Sequence, residues 1–133
     1  MNTKQHIGIL ILRISVAFTM LIYGITKFIN GIDFIKNLLT QYDLPAFFGY
    51  GIYVGEIIAP ALIIIGFRTK LAGLVFAFNC LVAIVMVQLP NLLKLNEFGG
   101  WAIGPIFIYM MFGFALFFTG AGKYAVSTTN KWD

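Results

Sequence analysis

Four stretches of this chain, residues 7–28, 47–67, 71–89 and 101–118, run for close to twenty residues each with almost no charge. A helix needs about 20 apolar residues to cross a hydrocarbon core. That match of length to bilayer narrows the fold before any motif is read. The runs are continuous rather than alternating, and they carry Gly and Pro as membrane helices tolerate, so a lipid-exposed barrel is set aside. Composition agrees: 60% of the 133 residues are hydrophobic and 11% charged, and the mean hydropathy is +0.92, far from the soluble average. The sequence therefore predicts an all-α, integral membrane four-helix bundle, with residues 1–133 as a single transmembrane domain. The first run starts too late, is too long and is followed by Lys27 rather than a small-residue cleavage site, so it is expected to be a retained span and not a signal peptide.

Basic residues near span ends set orientation. Lys4, Arg68, Lys70, Lys123 and Lys131 fall on one side, and Lys27, Lys36 and Lys94 on the other. Both termini are expected to be cytoplasmic, in a multi-pass protein of the cell inner or plasma membrane. The net charge of +4 then serves orientation and attraction to anionic lipid; no basic run is long enough to argue for nucleic acid. In the first outer segment, Phe34, Ile35, Leu38 and Leu39 recur at helical spacing opposite Asp33, Lys36, Asn37 and Gln41. A short amphipathic helix at the interface is expected there, ended by Asp43-Leu44-Pro45. Tyr42, Phe47, Phe48, Tyr50, Tyr53 and Trp101 read as an aromatic belt. The second outer segment, "PNLLKLNEFGG", reads as a lid edge, with Glu97 in solvent.

Cysteine and histidine exclude several chemistries. Cys80 and His6 each stand alone, so an intrachain disulfide, a CxxC pair, bis-histidine haem or a His and Cys metal cluster cannot be assembled. No intrinsic cofactor and no metal site are expected. The polar residues that remain in the spans are therefore informative, because a charge at mid-bilayer costs about 2.5–3.5 kcal/mol even on insertion scales.

Two charges lie deep, Arg13 and Glu56, and Lys27 lies shallower. At 1.5 Å per residue, Arg13 falls about 9 Å and Glu56 about 16 Å from the cytoplasmic end, while Lys27 falls about 30 Å up at the outer boundary. On depth alone, Arg13 is the expected partner of Glu56 and Lys27 a boundary anchor. Arg13, Ala17, Met20, Gly24 and Lys27 share one helical face, as do Tyr53, Glu56, Pro60 and Ile63. Pro60 removes the helical donor to the Glu56 carbonyl. Asn79 and Tyr109 could complete a polar centre, and Gly104-Pro105 is expected to bend the fourth span. The pair admits two readings: a structural clamp, or the floor of a pocket in which Glu56 and Arg13 act on a ligand held by Lys27, Tyr53, Asn79 and Tyr109.

The order of these residues resembles the DoxX family of four-helix membrane proteins. The resemblance rests on Arg13 early in span one, Gly24-Ile25-Thr26-Lys27 near its end, Gly55-Glu56 in span two with Gly66-Phe67-Arg68-Thr69 after it, and Gly120-Ala121-Gly122-Lys123-Tyr124 after span four. It extends over nearly the whole chain and departs from the family pattern at Ala125-Val126-Ser127, where Ser and Asp often follow the aromatic directly. It implies an association with redox metabolism, including the membrane subunits of thiosulfate:quinone oxidoreductase. Three functions follow in order of preference: a redox-associated subunit that binds a quinone or similar lipid-soluble molecule, with a membrane or soluble oxidoreductase as partner; a non-catalytic scaffold for a partner protein; or a small transporter or lipid-handling protein. A homo-oligomer is compatible with all three.

Overall fold

The computed structural model describes residues 2–31 and 33–133, with the side chains of Phe34, Ala46, Phe47 and Val87 outside the description. The parts assigned to Phe34 and Phe47 above thus lie outside the described residues. All regular elements described are helical: α1 (Thr3–Asn30), α2 (Asp33–Gln41), α3 (Gly51–Tyr53), α4 (Ala59–Ile65), α5 (Thr69–Ala83) and α6 (Gly104–Thr119). A wide π turn, Val54–Ile58, joins α3 to α4, so that 48–65 forms one continuous apolar helix. A second π turn, Ile84–Gln88, and a 3-10 turn, Leu89–Asn91, extend α5. Among the described residues three helices, Thr3–Asn30, Phe48–Ile65 and Thr69–Met86, are long and apolar enough to cross a membrane, and α6 is a shorter apolar helix.

Each boundary has a local cause. Asn2 accepts the Gln5 amide while the Gln5 side chain returns to the Asn2 amide, a reciprocal cap that starts α1. Gly66 ends α4 in a left-handed conformation, φ +79°, which glycine adopts without a steric penalty. The turn into α5 also places Arg68 at φ +50°. In α2, Leu39 is buried and Ile35 and Leu38 half-buried, while Asp33, Asn37 and Gln41 face outward. α6 departs from its expected span. Gly104-Pro105 was expected to bend a helix running from residue 101, yet the helix begins at Gly104. A proline in the first turn forfeits no hydrogen bond, because the amides there have no intrahelical acceptor, so the pair starts the helix instead of kinking it.

The spans pack in chain order, α1 on the second span, the second on α5, and α5 on α6. Close approach rests on glycine. A Cβ on Gly73 would stand 2.7 Å from the Gly113 carbonyl oxygen, so α5 and α6 meet at backbone distance, as small residues permit in membranes. Ala17, Met20, Ile63, Phe76, Cys80, Met110 and Leu116 form the shared core.

Both termini meet at one end of the molecule, where the Lys123 amide donates to His6 Nδ1 at 2.9 Å. There the tail folds back over the turn between the second and third spans. Asp133 accepts from the Arg68 amide and guanidinium, from the Ser127 hydroxyl and from the Asn130 amide. Burial alone would push its carboxyl up, but these hydrogen bonds outweigh it and hold the group well below the usual carboxylate range. A depressed folded-state value contributes stability above the unfolded value, which is lost as pH falls toward the folded one. The tail is therefore expected to stay docked from neutral pH down to about pH 4 and to release only in stronger acid. Asp133→Asn should release it at neutral pH, read as faster amide exchange at Arg68 and Ser127.

Candidate functional site

Two polar clusters lie in the bundle, one at each end of α1, and they divide the charges differently from the depth arithmetic. Arg13 is fully buried and does not pair with Glu56. Its Nε donates to the Ile63 carbonyl at 3.0 Å and Nη2 to Ile64 at 2.9 Å, while Nη1 reaches Ala121 at 3.0 Å and Tyr124 at 2.8 Å. Ile63 and Ile64 belong to the last turn of α4, and Ala121 and Tyr124 follow α6. The last carbonyls of a helix lack intrahelical donors and carry the negative end of its dipole. One guanidinium thus caps the end of α4 and ties the tail to it, and its charge is met by backbone carbonyls in place of a carboxylate. A Cβ on Gly66 would lie 2.7 Å from Nη2 and closer still to the Ala125 side chain, so the glycine also clears room for this cap.

The partner of Glu56 is Lys27. Lys27 Nζ donates to both carboxylate oxygens, at 2.7 and 2.9 Å. Helical side chains lean toward the N-terminus of their helix. On α1 that direction carries Arg13 away from Glu56 and toward the termini, and brings Lys27 down to the level of Glu56. The expected Arg13–Glu56 pair is therefore replaced by a Lys27–Glu56 pair for a directional reason that depth alone misses.

Backbone packing fixes this second pair in place. A Cβ on Gly24 would overlap the Glu56 carbonyl oxygen, so α1 touches the second span at the residue that bears the acid. Lys27 stands one turn beyond that contact. Glu56 itself sits inside the π turn, four residues before Pro60. Widening the turn just ahead of a proline is a common accommodation of its missing donor, and such turns recur at functional sites. Gly24→Ala is expected to wedge α1 off the second span, costing about 1–3 kcal/mol as overpacking does, and to lengthen the Lys27–Glu56 contact. Thermal unfolding in detergent reads the first effect.

The remaining candidates stand in different relations to the pair. Tyr53 lies one turn from Glu56 and packs edge-on against Phe28, ring centroids 5.7 Å apart, and against Tyr50 at 6.0 Å. Lys36 extends this aromatic wall, donating to the Tyr50 hydroxyl at 2.6 Å, and that bond holds its ammonium above the usual range. Asn79 abuts the Gly55 backbone so closely that a Cβ there would overlap its side chain. Tyr109 meets Phe76 edge-on at 6.4 Å and is half-buried. Cys80, fully buried, lies within electrostatic reach of both Glu56 and Lys27, and Tyr109 within that of Cys80 and Tyr23. Cys80 and Tyr23 were not among the candidates read from sequence. Cys80 follows Asn79 directly, and Tyr23 precedes the Gly24 contact, which is the signal that could have found them.

Exposure separates the two members of the pair. The Glu56 side chain is 8% exposed and that of Lys27 36%, so the acid is nearly sealed by protein while the lysine side chain is partly open to the surroundings. No group of three or more metal-ligating side chains occurs among the described residues.

Among the described residues the spans form an apolar helical bundle in which the buried carboxylate of Glu56 is held by a lysine. The family model for DoxX matches residues 8–89, and the chain belongs to that family. The matched stretch contains Arg13, Lys27, Tyr53, Glu56 and Asn79, but not Tyr109 or the 120–124 motif. The chain is also similar to a Bacillus subtilis (strain 168) protein named "Putative oxidoreductase CatD", 32% identical over 89 residues, covering 67% of this chain and 66% of the relative. The alignment thus spans just under two thirds of that relative's own length. No solved structure matches the chain.

Proposed function

We infer that this is a redox-associated membrane protein, a reading that the family and the relative's name support. We propose that it is a subunit of the plasma membrane, both termini cytoplasmic, which binds a quinone or similar lipid-soluble carbonyl compound beside the Lys27–Glu56 pair. The observation that carries this reading is the unequal exposure of that pair. Glu56 fixes the Lys27 side chain in direction. An ammonium has three donors; two serve the carboxylate oxygens and the third is available to a ligand oxygen arriving from the lipid. Tyr53, Tyr50 and Phe28 form an aromatic cluster, ring planes 72° and 46° apart, whose faces or edges a quinone ring would pack on. On the protein side, Asn79 abuts the Gly55 backbone next to Glu56.

The chain's single cysteine and single histidine supply no electron carrier, so in this reading electrons come from an oxidoreductase partner or from the reduced ligand itself. The pair's part is to bind and polarise the carbonyl. Purified protein in nanodiscs, titrated with a short-chain ubiquinone analogue, tests it: Glu56→Gln should weaken binding by about tenfold, as expected when about 1.4 kcal/mol of a charge-assisted contact is lost. Equal affinity for the variant and the parent would remove the pair from the site.

A further inference from the structure

The segment between the third and fourth spans is short of helix and rich in exposed apolar side chains. α6 has 16 residues, a rise of about 24 Å against the roughly 30 Å of a hydrocarbon core. The third span starts at the same level, since the Lys70 side chain reaches Gly120 just beyond α6. It continues through its π and 3-10 turns to Asn91, about 34 Å along. The chain must therefore come back about 10 Å toward the bilayer centre between Asn91 and Gly104.

That return is an ordered hairpin. The Asn96 amide donates to the Gly100 carbonyl at 2.7 Å and the Ala102 amide to Lys94 at 3.0 Å, with Leu95 and Trp101 bridged across. Asn96 Oδ1 accepts the Phe98 and Gly100 amides, and Trp101 Nε1 donates to the Leu92 carbonyl. Much of its polar backbone is thus satisfied within the chain, and at the interface, unlike in the hydrocarbon itself, headgroup water can meet the rest. Yet Leu93 is 96% exposed, Phe98 89% and Leu95 70%. A water-facing hairpin gains nothing from three such side chains. One at the bilayer boundary does, and the deficit in α6 puts it there.

We infer that residues 92–101 are seated in the membrane interface at the loop end of the bundle, with Leu93, Leu95 and Phe98 inserted among the lipids. Lys94 and Glu97, both exposed, reach back to the headgroup water, as charged residues alternate with apolar ones at interfaces. Trp101, at the base of the hairpin, takes the position favoured by interfacial tryptophan. The insertion supplies the thickness that α6 lacks and fixes the depth of the helix that bears Tyr109. The occupant of this surface is the bilayer itself, a continuation of the lipid-facing sides of the spans.

The test uses the full chain in phosphatidylcholine and phosphatidylglycerol nanodiscs, which leave both faces open to water. An environment-sensitive dye is placed at Leu93→Cys, Phe98→Cys or Glu97→Cys on a Cys80→Ala background, with Asn2→Cys as the aqueous reference and Phe18→Cys as the lipid reference. The dyes at 93 and 98 should shift to the blue, lose iodide quenching and gain quenching by a nitroxide lipid labelled near the headgroup, while the dye at 97 keeps its iodide quenching. Iodide access at 93 and 98 equal to that at Asn2 overturns the assignment. Protection found in native membranes but not in nanodiscs overturns it too, in favour of a protein partner. Trp132→Phe leaves Trp101 as the one tryptophan and needs no change in the hairpin: its fluorescence should be quenched by brominated lipid, and silence there counts against the insertion.

Discussion

Arg13→Ala is expected to cost more stability than any other single substitution in this chain. Four backbone carbonyls on two separate segments share its guanidinium, and it has no exposure through which water could replace it. Hydrogen bonds to a charged group are worth about 1.5–3 kcal/mol each. Losing four, with partial rehydration, gives an expected loss of about 3–6 kcal/mol, a large share of the 5–15 kcal/mol that holds a typical domain. Arg13→Lys should recover only part of this, because a lysine presents a compact ammonium and lacks the planar fork that reaches carbonyls on two sides. Arg13→Met should resemble Arg13→Ala if the hydrogen bonds dominate, since it restores volume and no donors. Chemical denaturation in mild detergent, followed by the fluorescence of Trp132 in the docked tail, orders the three variants. Parent-like stability for Arg13→Met would mean that the cap is filler.

The cost falls at one end of the molecule. Ala121 and Tyr124 lie in the tail that returns over the α4–α5 turn, and the Val126 amide bonds the Ile65 carbonyl beside Gly66. Freed of Arg13, the tail should fray before the spans part. Amide exchange should rise first at 121–127 and only later in α5, whose contact with α6 through Gly73 and Gly113 does not depend on the arginine.

What could be read from the residues and what could not divides along a physical line. Continuous apolar runs specify spans by length alone, so the helical membrane architecture was legible, as was most of the inward face, on which Arg13, Ala17, Met20 and Gly24 are buried and Lys27 is partly exposed. Partner choice was not, because depth is a single coordinate and charge pairing needs direction. Once the N-terminal lean of helical side chains is added, the same sequence assigns Lys27 to Glu56 and leaves Arg13 facing the carbonyl ends of its neighbours. The π turn at Val54–Ile58 was half legible. Pro60 announces a disturbed ladder near Glu56, but whether the helix kinks, widens or opens there depends on what packs beside it, and the contact with Gly24 was needed to decide. Gly104-Pro105 failed for a related reason: the same dipeptide bends a helix interior or begins a helix, and periodicity does not mark where α6 starts.

The other large effect lies in the Lys27–Glu56 pair, where stability and ligand binding are expected to separate. Lys27→Met leaves a nearly sealed carboxylate without its cation, and removing one partner of a buried pair costs about 3–5 kcal/mol. Lys27 is a third exposed, so solvent screening reduces the expected loss to about 1–3 kcal/mol. Glu56→Gln should cost less, since the freed lysine can extend toward the headgroups. The double variant Lys27→Met/Glu56→Gln removes both charges, and a neutral amide beside a thioether should recover stability to within about 1 kcal/mol of the parent. Quinone-analogue binding should not recover with it, because the double variant has no ammonium to donate to the carbonyl. A clamp predicts the reverse: once the double variant is as stable as the parent, nothing that the pair did is missing, and binding returns as well. Measuring unfolding and binding on the same four proteins therefore decides between clamp and pocket. The outcome that counts against the pocket is a double variant that is stable and still binds.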